Sequence, residues 1–183
     1  MKAIGAFTFV LHSHLPYVRM AGRWPHGEEW LHEAASETYI PLLNALYELR
    51  DMKLPVHLTI GLTPILIEQL SDTDVKDHFD AYLDEKIKVA REDVARFEEA
   101  KDQPHLAYLA HYYTDLYTHI KQSFDDRYGR DIVGAFRQLQ DEGIVEVITC
   151  GATHGYLPLL SRDSSVYAQI KVAVASYERH FGK

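Results

Sequence analysis

The sequence has little that is typical of secreted proteins. One cysteine, Cys150, occurs in 183 residues, so no internal disulfide framework can form. This cysteine usage suits a reducing compartment, and we expect a cytoplasmic protein. Cys150 ends an apolar run, which favours a buried and inert thiol.

Long hydrophobic runs and an excess of basic charge are also missing. The longest apolar run, residues 3–11, is far shorter than the roughly 20 residues that span a bilayer, and no basic leader or cleavage site precedes it. The formal net charge is -8, with 19 basic and 27 acidic residues, which disfavours nucleic acid. We therefore expect no membrane and no nucleic acid as partner, and an uncharged or sugar-like ligand fits better.

Three short apolar runs alternate with helical patterns. Residues 3–11, 56–62 and 144–150 are continuous and rich in β-branched or aromatic residues, which predicts parallel strands covered on both faces. Helices are predicted over residues 39–50, 64–70, 75–99, 104–124, 131–142 and 164–181. This order predicts an α/β fold with right-handed crossovers, a large helical insertion between strands 2 and 3, and one domain over residues 1–183.

Histidines follow two of the predicted strands. His12 and His14 end the first strand, and His154 follows the third, between Gly151 and Gly155. A strand period of two places His12 and His14 on one face, and the carboxyl ends of parallel strands meet at one edge of a sheet. We therefore expect the three imidazoles to lie together, with the two glycines allowing the bend that presents His154.

Three uses of these histidines remain open. The first is a metal site, as in a metal-dependent deacetylase or amidohydrolase, although a hydrolytic metal centre usually adds carboxylates and the nearest that follows either strand tip is Asp163. The second is structural hydrogen bonding beneath the first loop. The third is a set of neutral imidazoles that hold sugar hydroxyls or tune nearby carboxylates.

Residues 18–33 are predicted to form a loop that holds both tryptophans of the chain, Trp24 and Trp30. Flat aromatic faces beside a strand tip can stack on sugar rings, with packing in the core as the alternative, above all for Trp30. The glutamates of this loop are expected to be solvated or to initiate a helix. No phosphate-binding glycine-rich loop follows the first strand, which disfavours phosphoryl and hydride transfer. No serine nucleophile elbow occurs either.

Taken together, three motifs resemble glycoside hydrolase family 57, in particular its α-1,4-glucan branching enzymes. The motifs are His12-Ser13-His14-Leu15-Pro16-Tyr17-Val18-Arg19, Trp24-Pro25-His26-Gly27-Glu28-Glu29-Trp30 and Gly151-Ala152-Thr153-His154-Gly155. The resemblance implies the N-terminal part of a distorted (β/α)7 barrel and a retaining mechanism without a metal or other cofactor. It also implies an α-glucan as substrate: amylose, glycogen or maltooligosaccharides.

The resemblance also implies roles for single residues. His12 and His154 would line the donor-sugar subsite, His14 would support the first strand tip, and Trp24 and Trp30 would shape the acceptor side. The nucleophilic glutamate and the acid aspartate are expected downstream of this chain, which alone would be inactive. A 4-α-glucanotransferase or an α-amylase of the same family, or a non-catalytic glucan-binding protein, is the alternative.

Overall fold

The computed structural model describes residues 4, 5 and 7–182. It contains a parallel three-stranded sheet in the order β1-β2-β3, formed by β1 (Val10–Ser13), β2 (Leu58–Leu62) and β3 (Val145–Ile148). The predicted α/β class and the parallel pairing are therefore confirmed. The first strand was predicted from residue 3, but residues 1–3 and 6 lie outside the described residues, and β1 begins only at Val10.

Helices account for most of the remaining chain. Within the described residues they are α1 (Glu29–Ala34), α2 (Ile40–Asp51), α3 (Pro64–Ser71), α4 (Thr73–Ala100), α5 (Pro104–Gln122), α6 (Ile132–Asp141) and α7 (Asp163–Phe181). Two π-helical turns, Ala35–Tyr39 and Ser123–Arg127, follow α1 and α5, and a 3₁₀ turn covers Leu157–Leu159. The predicted helices are confirmed to within a few residues, and α3 to α6 lie between β2 and β3 along the chain.

The first helical segment begins earlier than predicted. The π-helical turn Ala35–Tyr39 joins α1 to α2, so the chain is helical from Glu29 to Asp51. Its buried side chains include Leu31, at 1% exposed, and Ala35, at 2% exposed, four residues apart on one face. The prediction of a loop through residue 33 is therefore wrong, because the apolar stripe of this helix starts at Leu31.

Two helix ends are defined by local residues. The carboxylate of Asp72 accepts a hydrogen bond from the Val75 N–H at 3.2 Å and so caps α4. Gly143 follows α6 with a φ of +74°, the left-handed conformation that glycine adopts at no steric cost. None of the described helices is both long and apolar enough to cross a bilayer.

The two faces of the sheet have different surroundings. Ile60 and Val147 are paired in register and are 1% and 4% exposed, because the helices pack against their face. On the other face Val10 is 61% exposed and Glu146 is exposed, and both pair in register with Thr59. The expectation of strands covered on both faces is therefore wrong for β1 and β3 in the described part of the chain.

Candidate functional site

Three imidazole rings meet at the carboxyl end of the sheet. The ring centroid of His154 lies 4.9 Å from that of His12 and 4.2 Å from that of His14. His12 belongs to β1, His14 directly follows it, and His154 lies in the loop after β3. The expected proximity of these three histidines is confirmed, and we call them the histidine cluster.

The loop after β3 is tied to α7 by Gln169. The side-chain oxygen of Gln169 accepts from the Thr153 N–H at 2.9 Å, and its Nε2 donates to Thr153 Oγ1 at 2.8 Å. The Ala152 N–H donates to the Gln169 carbonyl at 3.0 Å. Sequence reasoning did not find Gln169, because a glutamine inside an amphipathic helix carries no local signal of the loop that it contacts.

The bend that presents the third ring lies at the histidine itself. His154 has a φ of +58°, whereas neither Gly151 nor Gly155 is in the left-handed region. The predicted origin of the bend is therefore wrong. Gly151 contributes space instead, since a Cβ there would lie 3.2 Å from Gln169 Oε1 and 3.3 Å from Leu157 Cδ2.

The ring of His14 is fixed by the threonine that precedes α3. Thr63 is 1% exposed, and its Oγ1 lies 3.2 Å from His14 Nδ1. Thr63 stands at the N-cap position of α3, but its side chain makes no capping hydrogen bond. Burial lowers the pKa of His14, and the neighbouring His154 and His12 lower it further. A neutral imidazole presents one hydrogen-bond donor and one acceptor.

Cys150 adjoins the histidine cluster. Its sulfur lies 3.2 Å from His154 Nδ1, and burial raises the pKa of the thiol. The residue is half-buried, so the prediction of a buried thiol is only partly correct. Because the raised pKa disfavours the thiolate, the thiol is a poor nucleophile at neutral pH, which agrees with the expected inertness.

The two tryptophans differ in their surroundings. Trp24 lies in the loop before α1 and is 73% exposed, whereas Trp30 is in α1 and is 38% exposed. The ring of His26 lies 5.0 Å from that of Trp30. Within the described residues, no ring contact joins either tryptophan to the histidine cluster.

Two of the loop glutamates are buried, so their predicted solvation is wrong. Glu28, at 8% exposed, accepts a hydrogen bond from His78 at 2.6 Å, and Glu29, at 7% exposed, pairs with Arg23 at 2.6 Å and with Lys86 at 3.2 Å. The partners His78 and Lys86 belong to α4, 50 or more residues away. The alternative prediction of helix initiation is confirmed, since α1 begins at Glu29.

The described residues contain no group of three or more histidine, cysteine, aspartate or glutamate side chains placed to hold a metal ion. The histidine cluster is instead three aromatic rings beside a threonine hydroxyl and a thiol. Such rings can exchange hydrogen bonds with the hydroxyl groups of a ligand.

Comparison with known proteins identifies the family. The model of glycosyl hydrolase family 57 matches residues 8–183. The chain belongs to this family. The 1,4-alpha-glucan branching enzyme of Thermococcus kodakarensis is 48% identical over 178 residues, which is 97% of this chain and 25% of that enzyme.

Two solved structures share the fold of this chain. The GH57-type branching enzyme of Pyrococcus horikoshii is 46% identical with a TM-score of 0.85, over 96% of this chain and 32% of that one. The α-amylase AmyC of Thermotoga maritima is 35% identical with a TM-score of 0.87, over 96% of this chain and 33% of that one. The chain thus spans a quarter to a third of the length of these three proteins.

Proposed function

We propose that this chain is the N-terminal portion, residues 1–183, of the catalytic barrel of a cytoplasmic 1,4-α-glucan branching enzyme. The observation that carries the proposal is the histidine cluster at the carboxyl end of a parallel sheet, in a family 57 chain 48% identical to a branching enzyme over 97% of its length. The enzyme would transfer α-1,4-glucan segments from amylose, glycogen or maltooligosaccharides to a 6-hydroxyl.

The histidine cluster acts in this proposal as a set of sugar-positioning groups. His12 and His154 line the donor-sugar subsite, and His14, held by Thr63, supports the first strand tip. The lowered pKa of His14 suits its supporting role, because a neutral ring can share a hydrogen bond with the buried Thr63 hydroxyl. Donor and acceptor atoms fixed beforehand lose little freedom when a sugar binds.

Trp24 and Trp30 shape the acceptor side in this proposal. The indole of Trp24, 73% exposed, offers a flat apolar face with an N–H at its edge, which suits one face of a sugar ring and its hydroxyls. Trp30 is less exposed and is fixed in α1, so it offers a smaller and more rigid surface.

We place the glutamate nucleophile and the aspartate acid of the retaining reaction outside this chain, in the remainder of a (β/α)7 barrel. The open face of the sheet, with Val10 61% exposed, supports a longer catalytic domain that covers it. Two carboxyl groups about 5–5.5 Å apart would form and resolve the glycosyl-enzyme. A glucan 6-hydroxyl, instead of water, would complete branching.

Hydrolysis of α-glucan is the second candidate. The α-amylase AmyC shares the fold with a TM-score of 0.87, so the fold does not separate the two reactions. Identity does favour branching, since the two branching enzymes are 48% and 46% identical to this chain and AmyC is 35% identical.

The role of His154 can be tested in a hybrid enzyme. This chain replaces the aligned 25% of the Thermococcus kodakarensis enzyme, and His154→Asn is introduced. Asparagine accepts a positive φ but lacks the ring. We expect kcat/KM for amylose to fall about 30-fold, or about 2 kcal/mol, as the loss of hydrogen bonds to substrate would give.

The matched control is His105→Asn at an exposed position near the start of α5, where we expect kcat/KM to stay within about twofold. Equal activity of the His154→Asn and unchanged hybrids would contradict a sugar-positioning role for the cluster.

A further inference from the structure

A cavity lies between the loop before α1, α1 itself and α4. Its volume is about 590 Å³, within the roughly 300–1,000 Å³ of ligand-binding pockets. Its lining includes Met20, Arg23, Glu28, His32 and Tyr82, and none of the residues that line it belongs to the histidine cluster.

The wall of this cavity contains a buried imidazole without a hydrogen bond. His32 is 3% exposed, and among the described residues neither of its ring nitrogens has a partner. The ring is fixed between those of Phe79 and Tyr82, with centroids 5.7 and 5.3 Å away. Buried polar groups in native proteins are nearly always hydrogen-bonded. We therefore expect a ligand to supply the hydrogen-bonding partner of the His32 ring.

The charged groups around the cavity are already paired with one another. Arg23 binds Glu29 and Glu85, Lys86 binds Glu29 at 3.2 Å, and Glu28 accepts from a histidine on α4 at 2.6 Å. Both cations are therefore paired, and no free positive charge is left to attract a phosphate. The described residues here form no group placed to hold a metal ion. The cavity therefore favours a neutral ligand over a phosphate.

The remaining lining suits a ligand with both apolar and hydroxyl-bearing faces. The Tyr82 ring and the Met20 side chain supply apolar surface, and the neutral His32 ring supplies one donor and one acceptor. Both ring nitrogens are shielded from water. A ligand hydroxyl therefore reaches them only when a neighbouring side chain of the wall moves.

We propose that this cavity is a second saccharide-binding site, separate from the histidine cluster, which takes a neutral polyhydroxylated ligand of one or more hexose units through His32. The site itself follows from the cavity; only the identity of the sugar as α-linked glucose rests on the proposed function. Such a site would hold glucan at the helical layer, away from the reacting bond.

The 183-residue chain is titrated with maltotriose and, separately, with β-linked cellotriose. NMR of the ¹⁵N-labelled imidazoles monitors each titration. We expect saturable shifts at the His32 ring nitrogens. His32→Phe keeps an aromatic ring between Phe79 and Tyr82 but removes both nitrogens, and Ala81→Trp fills the cavity from its α4 wall. Each substitution is expected to weaken sugar binding at this site at least tenfold, measured by isothermal titration calorimetry because His32→Phe has no ring nitrogen to observe. His154→Asn is expected to leave the His32 shifts in place.

Each outcome separates the site from the proposed function. Shifts at His32 with cellotriose alone would support the site and contradict an α-glucan ligand. Maltotriose binding that is abolished by His154→Asn and unaffected by His32→Phe and Ala81→Trp would overturn the site and leave the proposed function standing. The proposed site would also be contradicted if neither maltotriose nor cellotriose shifted the His32 ring nitrogens.

Discussion

Acidification from pH 7.5 to 4 is expected to reduce the free energy of unfolding of the 183-residue chain by about 3 kcal/mol more than that of its His32→Phe variant. Burial lowers the pKa of His32 to about 4, from 6.5 for an exposed histidine. The nearby Glu28 and Glu29 oppose this shift, and Arg23 and His78 reinforce it, but burial has the largest effect.

The sign follows from where protons bind. Between pH 6.5 and 4 the unfolded chain protonates at His32 and the folded chain does not, so protons favour the unfolded state. Stability due to neutral His32 is therefore complete above pH 6.5 and is lost as the pH falls towards 4. Phenylalanine cannot titrate, so the variant lacks this contribution.

Urea unfolding of both proteins at half-unit pH steps measures the difference directly. Subtracting the two curves removes the contributions of the other acidic and basic groups. Parallel curves from pH 7.5 to 4 would contradict a buried, neutral His32.

Replacement of Ile60 by alanine is expected to lower the free energy of unfolding by about 3 kcal/mol, within the range for buried isoleucine. Ile60 is 1% exposed in the central strand, on the face covered by helices. Its register partners are Leu11 in β1 and Val147 in β3, the two strands from whose ends the histidine cluster is built. A cavity at Ile60 therefore loosens the support of that cluster.

A matched valine pair separates the two faces of the sheet. Val147→Ala removes the same atoms as Val10→Ala, but Val147 is 4% exposed and Val10 is 61% exposed. We expect a loss of about 2 kcal/mol for Val147→Ala and below about 0.5 kcal/mol for Val10→Ala. Equal losses in chemical denaturation would contradict the assignment of a covered and an open face.

The sequence predicted the elements whose signals are local. Asp72 and Gly143 mark helix ends through capping chemistry, and the spacing of apolar residues in α4 fixed its extent within a few residues. The sequence did not predict the exposure of Val10, because the apolar pattern of a strand does not show which other element covers it. The early start of α1 is not evident from the sequence, because charged residues surround Leu31, the apolar position at which its buried stripe begins.

In the candidate site, too, the sequence predicted what local patterns determine and did not predict the contacts between distant residues. A strand period of two and the common edge of parallel strands sufficed to bring His12, His14 and His154 together. The contacts that fix this site come from Thr63 and Gln169, whose partners are 49 and 16 residues away. The cavity at His32 depends on the packing of α4 against α1, which no local pattern reveals.

The linkages formed from amylose show whether this chain supports branching or hydrolysis. The hybrid in which this chain replaces the aligned 25% of the Thermococcus kodakarensis branching enzyme is incubated with linear amylose. Anomeric proton NMR and a reducing-end assay then follow the products. We expect new α-1,6 linkages with almost no increase in reducing ends. Soluble hybrid enzyme that gives only shorter linear chains and a matching rise in reducing ends would contradict the proposed branching activity.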